Sequence, residues 1–190
     1  LTDDEFNHGG QLAWSPDSKH IFFSANRRDD AFRQPVNSEI YRLTLSSKKV
    51  SAVTDRDGPD GSPKVSPNGE KIAFTGYDDT KMSFQASKLY VMNLDGSNVQ
   101  VLTDDLDRGV TGFEWDTDSQ GLYFTYDDKG VGQLARTTLN GEHTKLTDRV
   151  GGLSYSRPYG GGDFSVAKGD RIAFTISNPM RTAELALWDS

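Results

Sequence analysis

The chain has 190 residues, a net charge of -7, a hydrophobic fraction of 34% and no cysteine. The acidic balance argues against nucleic acid and anionic membrane surfaces as partners, since both call for basic patches, and the lack of cysteine excludes a disulfide framework, a thiolate metal site and a thiol nucleophile. Apolar runs fall short of the roughly 18 residues of a membrane span, while 11% aromatics and 19 glycines fit many short strands joined by polar turns.

In chain order, Leu1-Thr2-Asp3 comes first and reappears later as a closing signature. Trp14-Ser15-Pro16-Asp17-Ser18 then reads as a tight turn ahead of the apolar triplet Ile21-Phe22-Phe23. The triplet recurs as Ile72-Ala73-Phe74, Leu122-Tyr123-Phe124 and Ile172-Ala173-Phe174, at spacings of 51, 50 and 50 residues. The turn recurs as Val65-Ser66-Pro67-Asn68-Gly69 and Trp115-Asp116-Thr117-Asp118-Ser119, and in degenerate form as Val166-Ala167-Lys168-Gly169-Asp170. After each triplet comes a second element: Glu39 to Leu43, Lys88 to Met92, Gln133 to Thr137 and Glu184 to Trp188. Three units close with Val53-Thr54-Asp55, Leu102-Thr103-Asp104 or Leu146-Thr147-Asp148. A fixed period near 50 is the signature of a repeat architecture.

Each unit therefore reads as four short strands, a to d. Pro presets the first turn angle between a and b, and Asp, Asn or Gly tolerates the positive φ that follows. Strand b carries apolar residues at consecutive positions, so both its faces are covered, as in a blade packed between blades. The expected fold is all-β, a β-propeller fragment of about four four-stranded blades at 9–55, 61–104, 110–148 and 160–190, the last incomplete. Leu1 is not an initiator Met and Ser190 falls in mid-pattern, so the sequence reads as a piece of a longer protein.

Antiparallel order places the a–b and c–d turns at one end of each blade and the b–c and d–a loops at the other. The second set is long and unequal, and irregular loops on a rigid scaffold are where binding concentrates. Arg27 and Arg28 in the first b–c loop, and Arg157 and Tyr159 in the Arg157-Pro158-Tyr159-Gly160-Gly161-Gly162 stretch that breaks the repeat, are the candidate substrate-binding residues; a guanidinium fork suits a carboxylate. No catalytic residue is assigned, because no G-x-S-x-G elbow occurs. No metal site or cofactor is assigned either. His8, His20 and His143 lack ligand spacing, and Asp55 to Gly61 reads as an Asp/Gly turn rather than a calcium loop. Asp78-Asp79 and Asp127-Asp128 read as solvated carboxylates at the ends of strand b.

The turn, the Ile-Ala-Phe strand, the Ile/Leu-Tyr strand and the Leu-Thr-Asp close resemble TolB-type propeller repeats. Ser24 to Arg28 followed by Pro35 to Tyr41, Leu89 to Ser97, and Thr182 to Leu187 resemble the propeller of prolyl oligopeptidase family serine peptidases, particularly the acylaminoacyl-peptidase and dipeptidyl-aminopeptidase-like members. That resemblance implies a C-terminal α/β-hydrolase domain in the same chain, a peptide substrate, and a propeller that limits access to the active site. The alternative is a TolB-like module that binds a protein partner without catalysis. Cutting a propeller leaves apolar blade faces, so self-association of the piece is also expected.

Overall fold

The computed structural model describes residues 1–152, 161–178 and 180–189. Among them, every regular element is a strand. The first blade is β1 (His8–Trp14), β2 (His20–Ala25), β3 (Glu39–Thr44) and β4 (Lys49–Ala52), hydrogen-bonded in that order. The second is β5 (Asp60–Val65), β6 (Lys71–Gly76), β7 (Lys88–Asn93) and β8 (Gln100–Val101). The third runs β9 (Val110–Trp115), β10 (Gly121–Asp128), β11 (Val131–Thr138) and β12 (His143–Val150), and β13 (Phe164–Val166), β14 (Ile172–Asn178) and β15 (Arg181–Trp188) follow. All pairings are antiparallel, and a single pair, Val150 with Ile176, joins β12 to β14. The architecture is that of an all-β propeller. The chain divides into two compact units, 1–101 and 102–190, each described by itself below.

The a–b turns follow from their sequence. Ser18 N–H donates to the Ser15 carbonyl at 2.9 Å, Ser15 N–H to the His20 carbonyl at 3.0 Å, and Ser18 has φ 56°. This is a type I turn ending in a left-handed residue, a common hairpin connection. Gly69 (φ 74°) and Ser119 (φ 62°) hold the same place, and Asp170 (φ 57°) does so in the degenerate fourth turn. Between β10 and β11 the chain reverses over Lys129-Gly130, both at positive φ, the geometry that matches strand twist.

Alternation along the strands packs apolar residues of neighbouring blades together within each unit. In the first, Ala13, Phe22 and Ile40 on one face of the first blade pack with Ile72, Phe74, Tyr90 and Met92 of the second. In the second unit, Tyr123, Leu134 and Val150 of the third blade pack with Ile172 and Phe174, and with Ala186 and Trp188. Ile21, Phe23, Ala25 and Leu43 form a further cluster on the opposite face of the first blade. Consecutive residues of β2 thus enter different clusters, which is why that strand reads as an unbroken apolar run. Each fully buried Phe or Ile contributes about 2–3 kcal/mol of transfer free energy.

Three details differ from the sequence expectation. His8, read from the sequence as part of the d–a loop that enters the first blade, instead opens β1. Its ring meets Phe23 edge-on at 5.2 Å. Strand β8 is only two residues long. Val53-Thr54-Asp55 follows β4 instead of ending it: Val53 N–H donates to the Ile40 carbonyl at 2.7 Å, and Ile40 N–H donates to the Thr54 hydroxyl at 2.9 Å. A side-chain oxygen has taken the next acceptor place in the ladder, so the strand stops there.

Candidate functional site

In the first unit the b–c and d–a loops, 26–38, 53–59 and 77–87, share one end of the sheets. Their backbones are joined. Asp60 N–H donates to the Ser38 carbonyl at 2.7 Å and Asp79 N–H to the Asp57 carbonyl at 2.8 Å. Lys81 Nζ lies 3.8 Å from Asp57 Oδ1. The buried Asn37 amide, oriented to donate, reaches the Arg56 and Gly58 carbonyls at 3.1 and 3.2 Å.

Each loop is also ordered internally. In the first, Asn26 donates to the Gln34 carbonyl at 2.6 Å and Gln34 donates to Asp30 at 2.6 Å. In the third, Gln85 accepts from Thr80 N–H at 2.7 Å and donates to Asp79 at 2.8 Å. Lys81 Nζ and Gln85 hold the Asp79 carboxyl down to about 2. Two aromatic rings are left facing outward from this framework, Phe32 at 97% exposure and Phe84 at 82%.

Beneath the loops sits a buried polar cluster. Asp60 is fully buried and takes Arg56 Nε at 3.1 Å, and Arg56 Nη2 also bonds the same oxygen. Arg56 Nη1 reaches Asp78 at 3.2 Å, and the guanidinium lies 4.1 Å over the Tyr90 ring, itself stacked on Phe74. Burial raises the Asp60 carboxyl while Arg56 opposes that shift. Glu39 is also buried and accepts the Thr54 hydroxyl at 2.6 Å. Burial pushes its carboxyl up to about 7, against the hydrogen bond from Thr54. Glu39 Oε1 and Asp60 Oδ2 accept no hydrogen bond among the described residues.

The sequence candidates diverge. Arg27 pairs with Asp4 at 2.8 Å, bonds His8, and lies over Phe6 at 4.7 Å and Tyr41 at 5.6 Å, mostly buried. Its guanidinium is committed to the N-terminal segment. Arg28 turns the other way and stays part-exposed, 3.8 Å from Asp30 and 3.9 Å from Glu39 Oε1. Arg157 and Tyr159 lie outside the described residues. The strand-end acids are paired rather than simply solvated: Asp78 with Arg56, Asp79 with Lys81 and Asp128 with Arg108 at 3.0 Å.

Sequence reasoning passed over Glu39, Thr54, Arg56 and Asp60 as site residues. The available signal was Thr, which recurs in every Leu/Val-Thr-Asp close and is buried at Thr54 and Thr103. As built, the end of this unit offers aromatic tips, the accessible guanidinia of Arg28 and Arg33, and two buried carboxylates. That set can bind; it holds no nucleophile with an adjacent base.

A family model described as the TolB beta propeller domain matches residues 11–183. The chain belongs to the TolB β-propeller family. Dipeptidyl-peptidase 5 of Porphyromonas gingivalis is 28% identical to this TolB-family chain over 115 residues, covering 60% of the chain and 17% of that peptidase. Among solved structures, TolB from Acinetobacter baumannii matches with TM-score 0.59 at 20% identity, over 96% of this chain and 47% of that one. Pyrococcus horikoshii acylaminoacyl peptidase matches with TM-score 0.68 at 21% identity, over 94% and 25%. The TolB-family chain therefore spans less than a fifth of the length of that curated relative and a quarter of the second structure's.

Proposed function

We propose that this propeller is the non-catalytic domain of a serine peptidase of the prolyl oligopeptidase family, where it gates substrate access to an α/β-hydrolase domain of the same chain and helps form the peptide site. The observation that carries the reading is the cross-braced loop end of the first unit, with Phe32 and Phe84 exposed above a rigid polar base. Similarity to dipeptidyl-peptidase 5 and to the acylaminoacyl peptidase propeller supports it. A rigid blade assembly over a hydrolase site admits short peptides and rejects folded proteins by size. Arg28, beside Glu39, is the guanidinium placed to meet a substrate carboxylate; Arg157 and Tyr159 remain candidates from sequence.

The test is to express the complete product of the gene and assay it on chromogenic dipeptide substrates beside residues 1–190. The reading expects cleavage by the complete product and none by the 190-residue chain. It further expects Phe32→Ser and Phe84→Ser in the complete product to change kcat/KM for longer peptides more than for dipeptides. A complete product that has no hydrolase domain, or cleaves nothing, transfers support to the second reading, a TolB-like module binding a protein partner. The similarity to Acinetobacter baumannii TolB favours that reading.

A further inference from the structure

At the opposite end of the first unit, among the tight turns, a cleft of about 370 Å³ is lined by Ser15, Asp17, His20, Phe22, Arg42 and Asn68, with Pro16, Gly69 and Leu94. Arg42 projects from β3 at the position paired with Phe22. Among the described residues its buried Nε makes no hydrogen bond and no ion pair engages its guanidinium. A buried guanidinium N–H without an acceptor is uncommon in native proteins and asks for an explanation.

The third blade supplies one. Arg136 occupies the same repeat position, paired with Tyr123 as Arg42 is with Phe22. Its Nη2 donates to Asp116 Oδ2 at 2.5 Å. Asp116 stands where the first blade has Ser15. Its other oxygen does the turn's work, accepting Gln120 N–H at 2.8 Å. Ser15 Oγ does comparable work one residue further along the turn, accepting His20 N–H at 2.9 Å. Serine thus reproduces one carboxylate oxygen and lacks the second, the one that neutralises the arginine.

The charges around Arg42 do not replace it. Asp17 is engaged with the Ser15 hydroxyl at 2.7 Å and with Lys19 N–H at 3.1 Å. Asp95 senses Arg42 only through space, its carboxyl being held by Ser97. His20 Nδ1 faces Thr44 Oγ1 at 3.2 Å.

We infer that the Arg42 cleft is a binding site for a carboxylate group supplied from outside the chain, which occupies the place Asp116 Oδ2 holds in the third blade. A single planar charge fits better than phosphate, because Asp17 and Asp95 oppose a dianion. The site lies at the other end of the blades from the loops and is independent of the peptidase reading.

The test is NMR on the 190-residue chain, following the Arg42 Nε–H resonance. The probes are sodium acetate, acetyl-Gly-Asp-Gly-amide and, as controls, acetyl-Gly-Asn-Gly-amide and sodium chloride at equal ionic strength. Acetate and the Asp peptide are expected to shift the resonance saturably, and the controls are not. Tighter binding of the Asp peptide than of acetate marks a peptide-borne carboxylate, and equal binding marks a free one. Ser15→Asp is expected to move the resonance without ligand and to abolish the response. Arg42→Gln, followed through the Asn68 side-chain amide, is expected to weaken binding about tenfold or more. An Arg42 resonance that ignores both carboxylates, or an Arg42→Gln chain that binds them undiminished, overturns the inference.

Discussion

Thr54 gives its single hydroxyl hydrogen to Glu39 Oε2 over 2.6 Å. The neighbouring Asp60 has its charge balanced chiefly by Arg56, with Thr54 a lesser support. Two buried carboxyls thus share one polar cluster with unequal support, and they should behave differently when perturbed.

Glu39 makes stability depend on pH. Its folded-state value of about 7 lies above the ordinary 4.5. The folded protein therefore holds an extra proton between those values. The stabilising contribution is fully present below about 4.5 and is lost as pH rises through 7. Glu39→Gln, neutral at every pH, should leave stability nearly unchanged at pH 4.5 and raise it by on the order of 2 kcal/mol at pH 8. Urea unfolding at the two pH values measures this, and an equal change at both would remove Glu39 as the titrating group.

Arg56→Met strips Asp60 of its counter-charge in a fully buried place. The expected loss is about 3–5 kcal/mol. Arg56→Lys should recover only part of it, because an ammonium reproduces neither the two-nitrogen contact with Asp60 nor the flat stacking over Tyr90. With Asp60→Asn as the second arm of a double-mutant cycle, the pair should show strong coupling. Additive losses would place the effect of Arg56 in packing alone.

Ile40, Leu89, Leu134 and Leu185 share one repeat position. The first three are 0% exposed, whereas Leu185 on β15 is 83% exposed. Ile40→Ala should cost about 2–5 kcal/mol, and Leu185→Ala no more than about 0.5 kcal/mol. If thermal unfolding of the two variants differs little, Leu185 has a covering partner in solution, the outcome expected if the chain self-associates through that face.

Gly69→Ala tests the turn end. Gly69 sits at φ 74°, and a Cβ there would overlap the Pro16 ring. Strain and clash together predict a loss of at least about 1–2 kcal/mol. Gly130→Ala is the control, since its φ of 77° carries the same strain while nothing lies within 4 Å of a Cβ. The excess cost at Gly69 measures the fit between the turns.

The blades were legible in the sequence because one period carries both the turn and the apolar triplet. The triplet spacing alone places strand b in all four units, and the Pro-Asp-Ser type turn fixes where a gives way to b. The polar base of the site was not legible. Glu39, Thr54, Arg56 and Asp60 come from the c strand, the close and the opening of the next blade, and only the packed sheets bring them together. Arg27 looked free for the opposite reason: nothing in a linear reading indicates that Asp4, 23 positions earlier, will return to claim it. Arg42 was passed over because its peculiarity is a missing oxygen, which shows only when Ser15 is laid over Asp116 in three dimensions.

The turn-to-turn contacts are written in two incompatible chemistries. Between the first two blades the contact is ring against backbone, Pro16 on Gly69. In the second unit Asp170 Oδ1 accepts both the N–H and the hydroxyl of Thr117, at 2.9 and 3.0 Å. Proline has no N–H to offer Asp170. A duplicated or transplanted blade would thus arrive with the wrong half of a lock. Moving a blade within this chain would require moving its matched neighbour with it, or a compensating change in the adjoining turn.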